Sequence, residues 1–320
     1  MNPSAKRLLC CLEVSSRLAT SVCGIPLKSP VMAASGTYAY GIELAKVVDL
    51  SALGGIVTKG LSREPMDGNP APRLYETESG MMNSVGLQNI GVRAFVSEKL
   101  PALRAIPTPV FANIFGYAVE DYVEVVRVLE DAEGLAGYEL NVSCPNTRHG
   151  GVVFGVDPGL LSEVVAAVRS AAKRPLIVKL SPNVTCIEPL ARAAAEAGAD
   201  ALSLVNTFVA LAIDAHTRRP HLGNGMGGLS GPAIKPIALR MVYQAAQAVS
   251  LPIIGLGGIA TGTDAAEFMI AGASAVEVGT ANFWDPQAPL RIAGELDAFL
   301  QQENIPGAAD LVGTLRWKEE

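Results

Sequence analysis

The chain has 320 residues, of which 49% are apolar and 18% are charged, and its formal net charge is −6. This composition can build a large core and excludes a disordered chain, while the negative charge argues against a protein that binds nucleic acid by neutralising phosphates. No apolar run reaches the ~18 residues needed to span a bilayer, so we expect a cytoplasmic protein that binds no membrane.

Eight short apolar runs, most of them ending in Gly, Ser or Thr, are predicted strands: residues 30–36, 55–60, 109–115, 138–143, 175–181, 201–207, 252–258 and 275–280. Runs that are apolar on both faces are typical of buried parallel strands. Segments with helical periodicity lie between them, at residues 120–130, 157–172, 187–197, 232–248 and 263–271. Residues 17–27 predict a hairpin that closes the bottom of the fold.

Eight β/α units without a linker or a break in composition predict one (β/α)8 TIM barrel over residues 17–320. The alternative is an open doubly wound sheet. The barrel is favoured because polar residues follow nearly every strand, and in a barrel these ends converge on one mouth. Residues 1–16 form an N-terminal extension to which we assign no role.

Two connections are longer than simple strand-to-helix loops. Residues 61–88 follow the second strand and residues 208–230 follow the sixth. Long loops on this face commonly cover substrates or contact partners.

The polar residues at the strand ends form a candidate binding site. They are Ser35, Lys59, Asn113, Asn141, Lys179, Asn183, Asn206 and Thr207. Buried amide and ammonium groups need hydrogen-bond partners, and a polar ligand would supply them. Taken singly, each asparagine could instead be a turn residue, and the two lysines could form structural ion pairs.

Glycines follow the last two strands, as Gly257-Gly258 and Gly279-Thr280. In a (β/α)8 barrel this is the common phosphate site, where backbone N–H groups receive the anion. The alternative is that the glycines only make tight turns.

Cys144 lies among polar residues after the fourth strand, before a loop that contains Gly150, Gly151 and Gly155. A thiol there can act as a nucleophile or a base, and residues 143–155 are a candidate lid. The alternative is a small buried apolar residue. The five cysteines are irregularly spaced and include no C-x-x-C, so we expect no disulfide framework and no metal or iron–sulfur site on this chain.

Several longer motifs resemble the catalytic subunit of the NAD-linked (class 1B) dihydroorotate dehydrogenases. They lie at residues 80–89, 141–146, 178–183, 227–236 and 278–282, and the similarity runs from about residue 17 to residue 283. The resemblance implies an FMN-containing barrel that oxidises dihydroorotate to orotate in pyrimidine biosynthesis.

The resemblance also implies roles for individual residues. FMN contacts fall on Ser35, Lys59, Gly60, Asn113, Asn141, Lys179, Val205, Gly231, Gly257, Gly258, Gly279 and Thr280. Dihydroorotate contacts fall on Lys59, Asn83, Ser84, Val85, Gly86, Leu87, Asn141, Asn206 and Thr207. Cys144 corresponds to the base that removes a proton from C5 of the substrate, while a hydride passes from C6 to the flavin. Lys179 is expected near the flavin N1/O2 edge, where negative charge grows on reduction.

The NAD-linked class implies a separate electron-transfer subunit that carries FAD and a [2Fe-2S] cluster, in a heterotetramer built on a homodimer of this chain. Residues 208–230 are a candidate contact with the second copy. The alternatives are a related flavin barrel acting on another dihydropyrimidine, a dihydroorotate dehydrogenase that uses another acceptor such as fumarate, and a non-catalytic flavin-binding subunit.

Overall fold

Eight parallel strands close into one barrel in this computed structural model, which describes residues 15–143, 145–146 and 152–317. The strands are β1 (Val31–Ala33), β2 (Ile56–Val57), β3 (Val110–Ile114), β4 (Gly137–Asn141), β5 (Leu176–Lys179), β6 (Ala201–Leu204), β7 (Ile253–Leu256) and β8 (Ala275–Val278). Each pairs with the next in chain order, and β8 pairs with β1. The predicted (β/α)8 barrel is confirmed, and the open sheet was the wrong alternative.

The barrel strands are buried on both faces, because side chains fill the interior and helices cover the outside. The covering α-helices are Val119–Glu130, Pro158–Ala171, Glu188–Glu196, Lys235–Ala248, Gly262–Ile270 and Ala288–Gln302. Pro158–Ala171 begins as predicted, with the Asp157 carboxylate accepting a hydrogen bond from the Leu160 amide at 2.9 Å.

Two parts of the helical layer differ from the sequence prediction. Residues 92–103 form a helix that the sequence analysis missed, and its middle turn, Phe95–Lys99, is a π-helix. Ala288–Gln302 was also missed. Between β1 and β2 only short 3₁₀ turns, Ile42–Leu44 and Leu50–Ala52, stand where other units have a helix.

A hairpin closes the amino-terminal end of the barrel, as predicted. Thr20–Val22 pairs with Ile25–Leu27, and the two turn residues Cys23 and Gly24 have φ angles of 52° and 76°. Val22 and Leu27 are buried together with inward-facing strand residues such as Phe111. Because the hairpin closes this end, the barrel is open at the carboxyl ends of its strands.

The two long connections combine into one antiparallel sheet of four strands. Its strand order is Phe208–Ala210, Gly227–Ser230, Gly80–Asn83 and Leu74–Thr77. The central pair joins the two connections, because Gly228 pairs with Asn83 and Ser230 with Met81. The sequence analysis treated these segments separately, whereas the fold brings them together at the mouth of the barrel.

The predicted lid is described only in part. Pro145–Asn146 pairs antiparallel with Val152–Val153, whereas Cys144 and residues 147–151 lie outside the described residues. Among the helices that the structure describes, none is both long enough and apolar enough to cross a membrane.

Candidate active site

The carboxyl ends of all eight strands open into a cavity of about 420 Å³. It is lined by every residue for which the sequence analysis predicted an FMN or dihydroorotate contact, from Ser35 after β1 to Thr280 after β8. Cys144 lies outside the described residues, but Ser143, which precedes it, lines the cavity. The closure of the barrel is the reason these residues, far apart in the chain, meet in one place.

Asn183 does not line the cavity, although it follows β5 and was grouped with the site residues. Its side-chain amide donates to the Thr207 carbonyl at 3.1 Å and its side-chain oxygen accepts from the Val209 amide at 2.9 Å. Asn183 therefore anchors the start of the insert after β6, and the turn-residue interpretation is the correct one for this asparagine.

Three buried ionisable side chains cluster at the floor of the cavity, and two of them, Lys179 and Glu277, line it. Lys179 Nζ lies 3.2 Å from Glu139 Oε1 and 3.3 Å from Glu277 Oε2. These residues are 4%, 0% and 1% exposed respectively, so the charges are shielded from solvent. The same ammonium lies 3.5 Å from the Ser35 hydroxyl, which lines the cavity above it.

The two glutamates have different surroundings. Asn113 Nδ2 donates to Glu139 Oε2 at 2.6 Å, and the Ser203 hydroxyl donates to Glu139 Oε1 at 2.9 Å. Glu277 Oε1, in contrast, is buried and has no hydrogen-bond partner among the described residues. A buried polar atom without a hydrogen-bond partner is costly, so the open oxygen marks a place where a polar group of a ligand fits.

The pKa values of the two glutamates differ in the way that their hydrogen-bond partners predict. Burial, and then the charge of Glu139, raise the pKa of Glu277 to about 8. Burial also acts to raise the pKa of Glu139, but Lys179 and the surrounding hydrogen bonds outweigh it and hold that pKa below its ordinary value. Burial opposes the Lys179 ammonium, yet the two carboxyl groups raise its pKa, so Lys179 is a permanent positive charge.

The sequence analysis missed both glutamates. The available signal was a single charged residue inside each of two otherwise buried strand patterns, at Glu139 in β4 and Glu277 in β8. A charge in such a position needs a partner. The structural interpretation of Lys179 as an ion-pair member is therefore correct, and it does not exclude a role at the cavity that Lys179 also lines.

An asparagine network holds the end of β4. Asn206 Nδ2 donates to Asn141 Oδ1 at 3.1 Å and to the Ser143 hydroxyl at 3.0 Å. The Ser143 amide donates to the same Asn141 oxygen at 3.2 Å. These bonds fix the backbone immediately before Cys144.

Lys59 follows β2 and lines another part of the cavity wall. Burial lowers its pKa, and the nearby positive charge of Arg73 lowers it further. An anionic ligand group would offset both effects, which makes Lys59 a suitable contact for a carboxylate or phosphate.

Glycines shape the wall after β7 and β8. Gly257 and Gly258 have φ angles of 126° and 82°, and a Cβ atom on Gly257 would lie 2.8 Å from the Cβ atom of Ala238. No hydrogen bond found within the described part of the chain uses the amides of Gly258, Gly279 or Thr280 as donors. Backbone N–H groups that have no acceptor among the described residues, together with glycines that carry no side chain, suit an anion such as phosphate.

The fold and the cavity define a (β/α)8-barrel enzyme whose site lies at the carboxyl ends of the strands. The dihydroorotate dehydrogenase family model matches residues 17–300, and the chain belongs to that family. It is therefore an oxidoreductase, as the resemblance of its motifs predicted.

Relatives from three bacteria differ in the electron acceptor that their names give. The protein from Solibacter usitatus (strain Ellin6076), named putative dihydroorotate dehydrogenase A (fumarate), is 73% identical over 304 residues, covering 95% of this chain and 100% of the relative. The proteins from Geotalea uraniireducens (strain Rf4) and Geobacter sulfurreducens (strain ATCC 51573 / DSM 12127 / PCA) are both named dihydroorotate dehydrogenase B (NAD(+)), catalytic subunit. Each is 55% identical over 298 residues, covering 93% of this chain and 98% of the relative.

Proposed function

We propose that this chain is an FMN-dependent catalytic subunit that oxidises (S)-dihydroorotate to orotate in pyrimidine biosynthesis and passes the electrons through a partner subunit to NAD⁺. The observation that carries the proposal is the convergence of eight strand ends on one cavity, with a buried lysine at its floor and a glycine-lined wall, in a member of this family.

The residues of the cavity fit FMN. Its phosphate matches the N–H groups of Gly258, Gly279 and Thr280, which have no acceptor among the described residues. Its imide edge and ribityl hydroxyls offer both hydrogen-bond donors and acceptors, and Glu277 Oε1 has no partner of either kind among the described residues. The volume of about 420 Å³ lies within the usual range for ligand pockets. When bound, FMN supplies the acceptor for the hydride that leaves C6 of the substrate.

The chain's own residues provide the proton chemistry and the positioning. In this proposal the Cys144 thiolate removes the proton from C5 of dihydroorotate, and Asn206 and Asn141 fix the segment before it through Ser143. Asparagine amides offer both donors and acceptors to the imide edge of the pyrimidine. Lys59 supplies the positive charge for the carboxylate.

The segment at residues 83–87 would cover the substrate. It follows the strand Gly80–Asn83, whose pairing with Gly227–Ser230 holds it across the mouth. Gly86 and Leu87 have φ angles of 74° and 57°, which turn the chain toward the cavity wall that they line. We assign these residues to substrate contacts.

NAD⁺ as the final acceptor is supported by the names of the relatives that are 55% identical. The chain's irregular cysteine spacing offers no iron–sulfur ligand set, so a cluster would have to lie on another subunit. The electrons would then leave through a subunit that carries FAD and a [2Fe-2S] cluster. A second candidate, direct reduction of fumarate by this chain, is favoured by the name of the relative that is 73% identical.

One experiment on the purified full-length chain tests these proposals. We expect a yellow protein that dihydroorotate bleaches under anaerobic conditions and that reduces an artificial dye, with little reduction of NAD⁺ or fumarate. Lack of bleaching would overturn the proposed activity. Efficient NAD⁺ reduction by the single chain would overturn the partner subunit, and fumarate reduction would establish the second candidate.

Dihydrouracil serves as the matched control substrate, because it lacks the carboxylate that Lys59 is assigned to bind. It should leave the flavin oxidised. Bleaching by dihydrouracil but not by dihydroorotate would favour the related flavin barrels that act on other dihydropyrimidines.

A further inference from the structure

The buried cluster at the floor of the cavity contains two carboxyl groups and one ammonium group. Glu139 on β4, Lys179 on β5 and Glu277 on β8 are all almost fully buried. With both carboxyls ionised, the cluster would hold a net negative charge out of contact with water. Two carboxyl groups at one buried site do not both ionise near neutral pH, because each disfavours the charge of the other.

The surroundings decide which carboxyl keeps the charge. Glu139 accepts hydrogen bonds from Asn113 and Ser203 in addition to its contact with Lys179, so three donors stabilise its ionised form. Glu277 contacts Lys179 through Oε2, and its Oε1 atom has no partner among the described residues. Both carboxyl groups contact the same ammonium group, at 3.2 and 3.3 Å, so the charge of each acts on the other at close range.

We propose that Glu139 and Glu277 share one proton, held mainly by Glu277, so that the floor of the cavity is neutral overall and Lys179 faces only one full negative charge. Glu277 is thus a positioning residue that acts through Lys179. The direction of the pKa shifts at the two glutamates agrees with this assignment.

No other ionisable side chain of the described residues competes for this proton at the floor of the cavity. Lys59 on the β2 side is the other charged group that lines the cavity. The remaining strands contribute Ser35, Asn113, Ser203 and Leu256 to this region, and none of these side chains titrates.

The consequence for the redox reaction rests on the proposed function. A bound flavin gains negative charge when it is reduced, and an ionised Glu277 in the same cavity would disfavour that state. When Glu277 holds the proton, only the Glu139 carboxylate opposes the positive charge of Lys179, and Lys179 stabilises the reduced ligand. Loss of the proton at alkaline pH should therefore lower the reduction potential of the bound ligand.

Infrared spectroscopy of the purified full-length chain tests the shared proton without any need for FMN or substrate. We expect the carbonyl stretch of a protonated carboxyl group at pH 7, lost as the pH rises through about 8 and absent in Glu277→Gln. Absence of that band from the wild type at pH 7, or its survival in Glu277→Gln, would overturn the proposal whatever the enzyme's activity. Where the variant does not fold, the wild-type spectrum can still overturn the proposal, because the absence of the band at pH 7 would mean that no carboxyl group is protonated.

Two further variants sharpen this result. In Glu139→Gln the neighbouring negative charge is removed, so Glu277 should ionise at lower pH and the band should be missing at pH 7. Glu130→Gln is the matched control, because Glu130 pairs with Arg174 away from the cavity, and its band should equal that of the wild type. A band in Glu139→Gln that titrates as in the wild type would show that the two carboxyls are not coupled.

The positioning role has its own readout, the pH dependence of the reduction potential of bound FMN. Above pH 8 the potential of Glu277→Gln should exceed that of the wild type, because glutamine cannot acquire the extra negative charge. At pH 6 the two should agree. Equal potentials at both pH values would overturn the positioning role, even with the shared proton confirmed.

Discussion

Cys144 is the residue whose replacement most directly tests the chemistry. We expect Cys144→Ser to retain FMN but to lose about 10²–10⁴-fold in dihydroorotate oxidation at pH 7, because a serine hydroxyl is a far weaker base. Part of the activity should return at high pH. The measurement is steady-state dye reduction at pH 7 and pH 9, with Cys186→Ser as the matched control because that thiol is exposed. Normal turnover of Cys144→Ser at pH 7 would show that Cys144 is not the base.

Lys179 combines a structural and a functional role at the residue scale. Lys179→Ala removes the buried counter-charge of Glu139, and breaking a buried pair in this way costs about 3–5 kcal/mol. We expect a lower melting temperature, weaker FMN retention and slower flavin reduction by dihydroorotate. Stopped-flow bleaching at saturating FMN measures the last effect.

The control for Lys179→Ala is Lys173→Ala, at an exposed position. It should match the wild type in stability and in bleaching rate. A Lys179→Ala protein that bleaches at the wild-type rate would contradict the redox role, whatever its stability.

At the element scale, the turn after β7 depends on the backbone of glycine. We expect Gly257→Ala to impair FMN retention and to destabilise the fold by about 1–3 kcal/mol, because a side chain at φ 126° is strained and its Cβ atom would crowd Ala238. Thermal melts and equilibrium dialysis of FMN measure the two effects.

Gly294→Ala is the matched glycine control. Gly294 lies on the exposed face of the helix Ala288–Gln302, and a Cβ atom there meets nothing within 4 Å. Since alanine favours helices by up to about 1 kcal/mol relative to glycine, this variant should be neutral or more stable. Equal effects of both substitutions would argue against a special role for the turn after β7.

The loop at residues 143–155 is the second element with a testable role. If it closes over bound ligand as a lid, trypsin cleavage after Arg148 should slow when orotate is bound. Cleavage after Arg316, an exposed residue near the carboxyl end, reports on protease activity and should not change. Equal cleavage after Arg148 with and without orotate would count against the lid.

At the scale of the whole molecule, the insert at residues 208–230 carries an unusual set of exposed apolar side chains. Val209, Leu211, Ile213 and Met226 are 63%, 52%, 58% and 59% exposed. Exposed apolar patches mark interaction surfaces, and we predict that this patch contacts a second copy of the chain.

Leu211→Glu tests this contact, because it places a charge within the patch. Light scattering should show a dimer for the wild type and a monomer for Leu211→Glu. Leu315→Glu, which alters an exposed leucine outside the insert, should remain dimeric. Monomeric wild-type protein, or dissociation by both variants alike, would contradict the prediction.

The sequence alone determined the barrel and which residues lie at its open end. Periodicity, helix caps and turn residues are local signals, so the eight strands and most of the helices could be located from the chain itself. Because parallel strands in a barrel present their carboxyl ends on one side, the sequence predicts that residues such as Lys59, Asn141 and Thr280 lie together. The helix at residues 92–103 was not predicted, because its π-helical turn departs from the 3.6-residue period of an α-helix.

Only the tertiary structure decided which distant groups touch. Gly80–Asn83 and Gly227–Ser230 pair across about half of the chain, and no local pattern in either segment specifies the other. The same applies to Glu139, Lys179 and Glu277, each of which stands alone in its own strand. Their pairing and their proton depend on the distances and burial that barrel closure imposes, and electrostatic interactions in a buried site are governed by those two quantities.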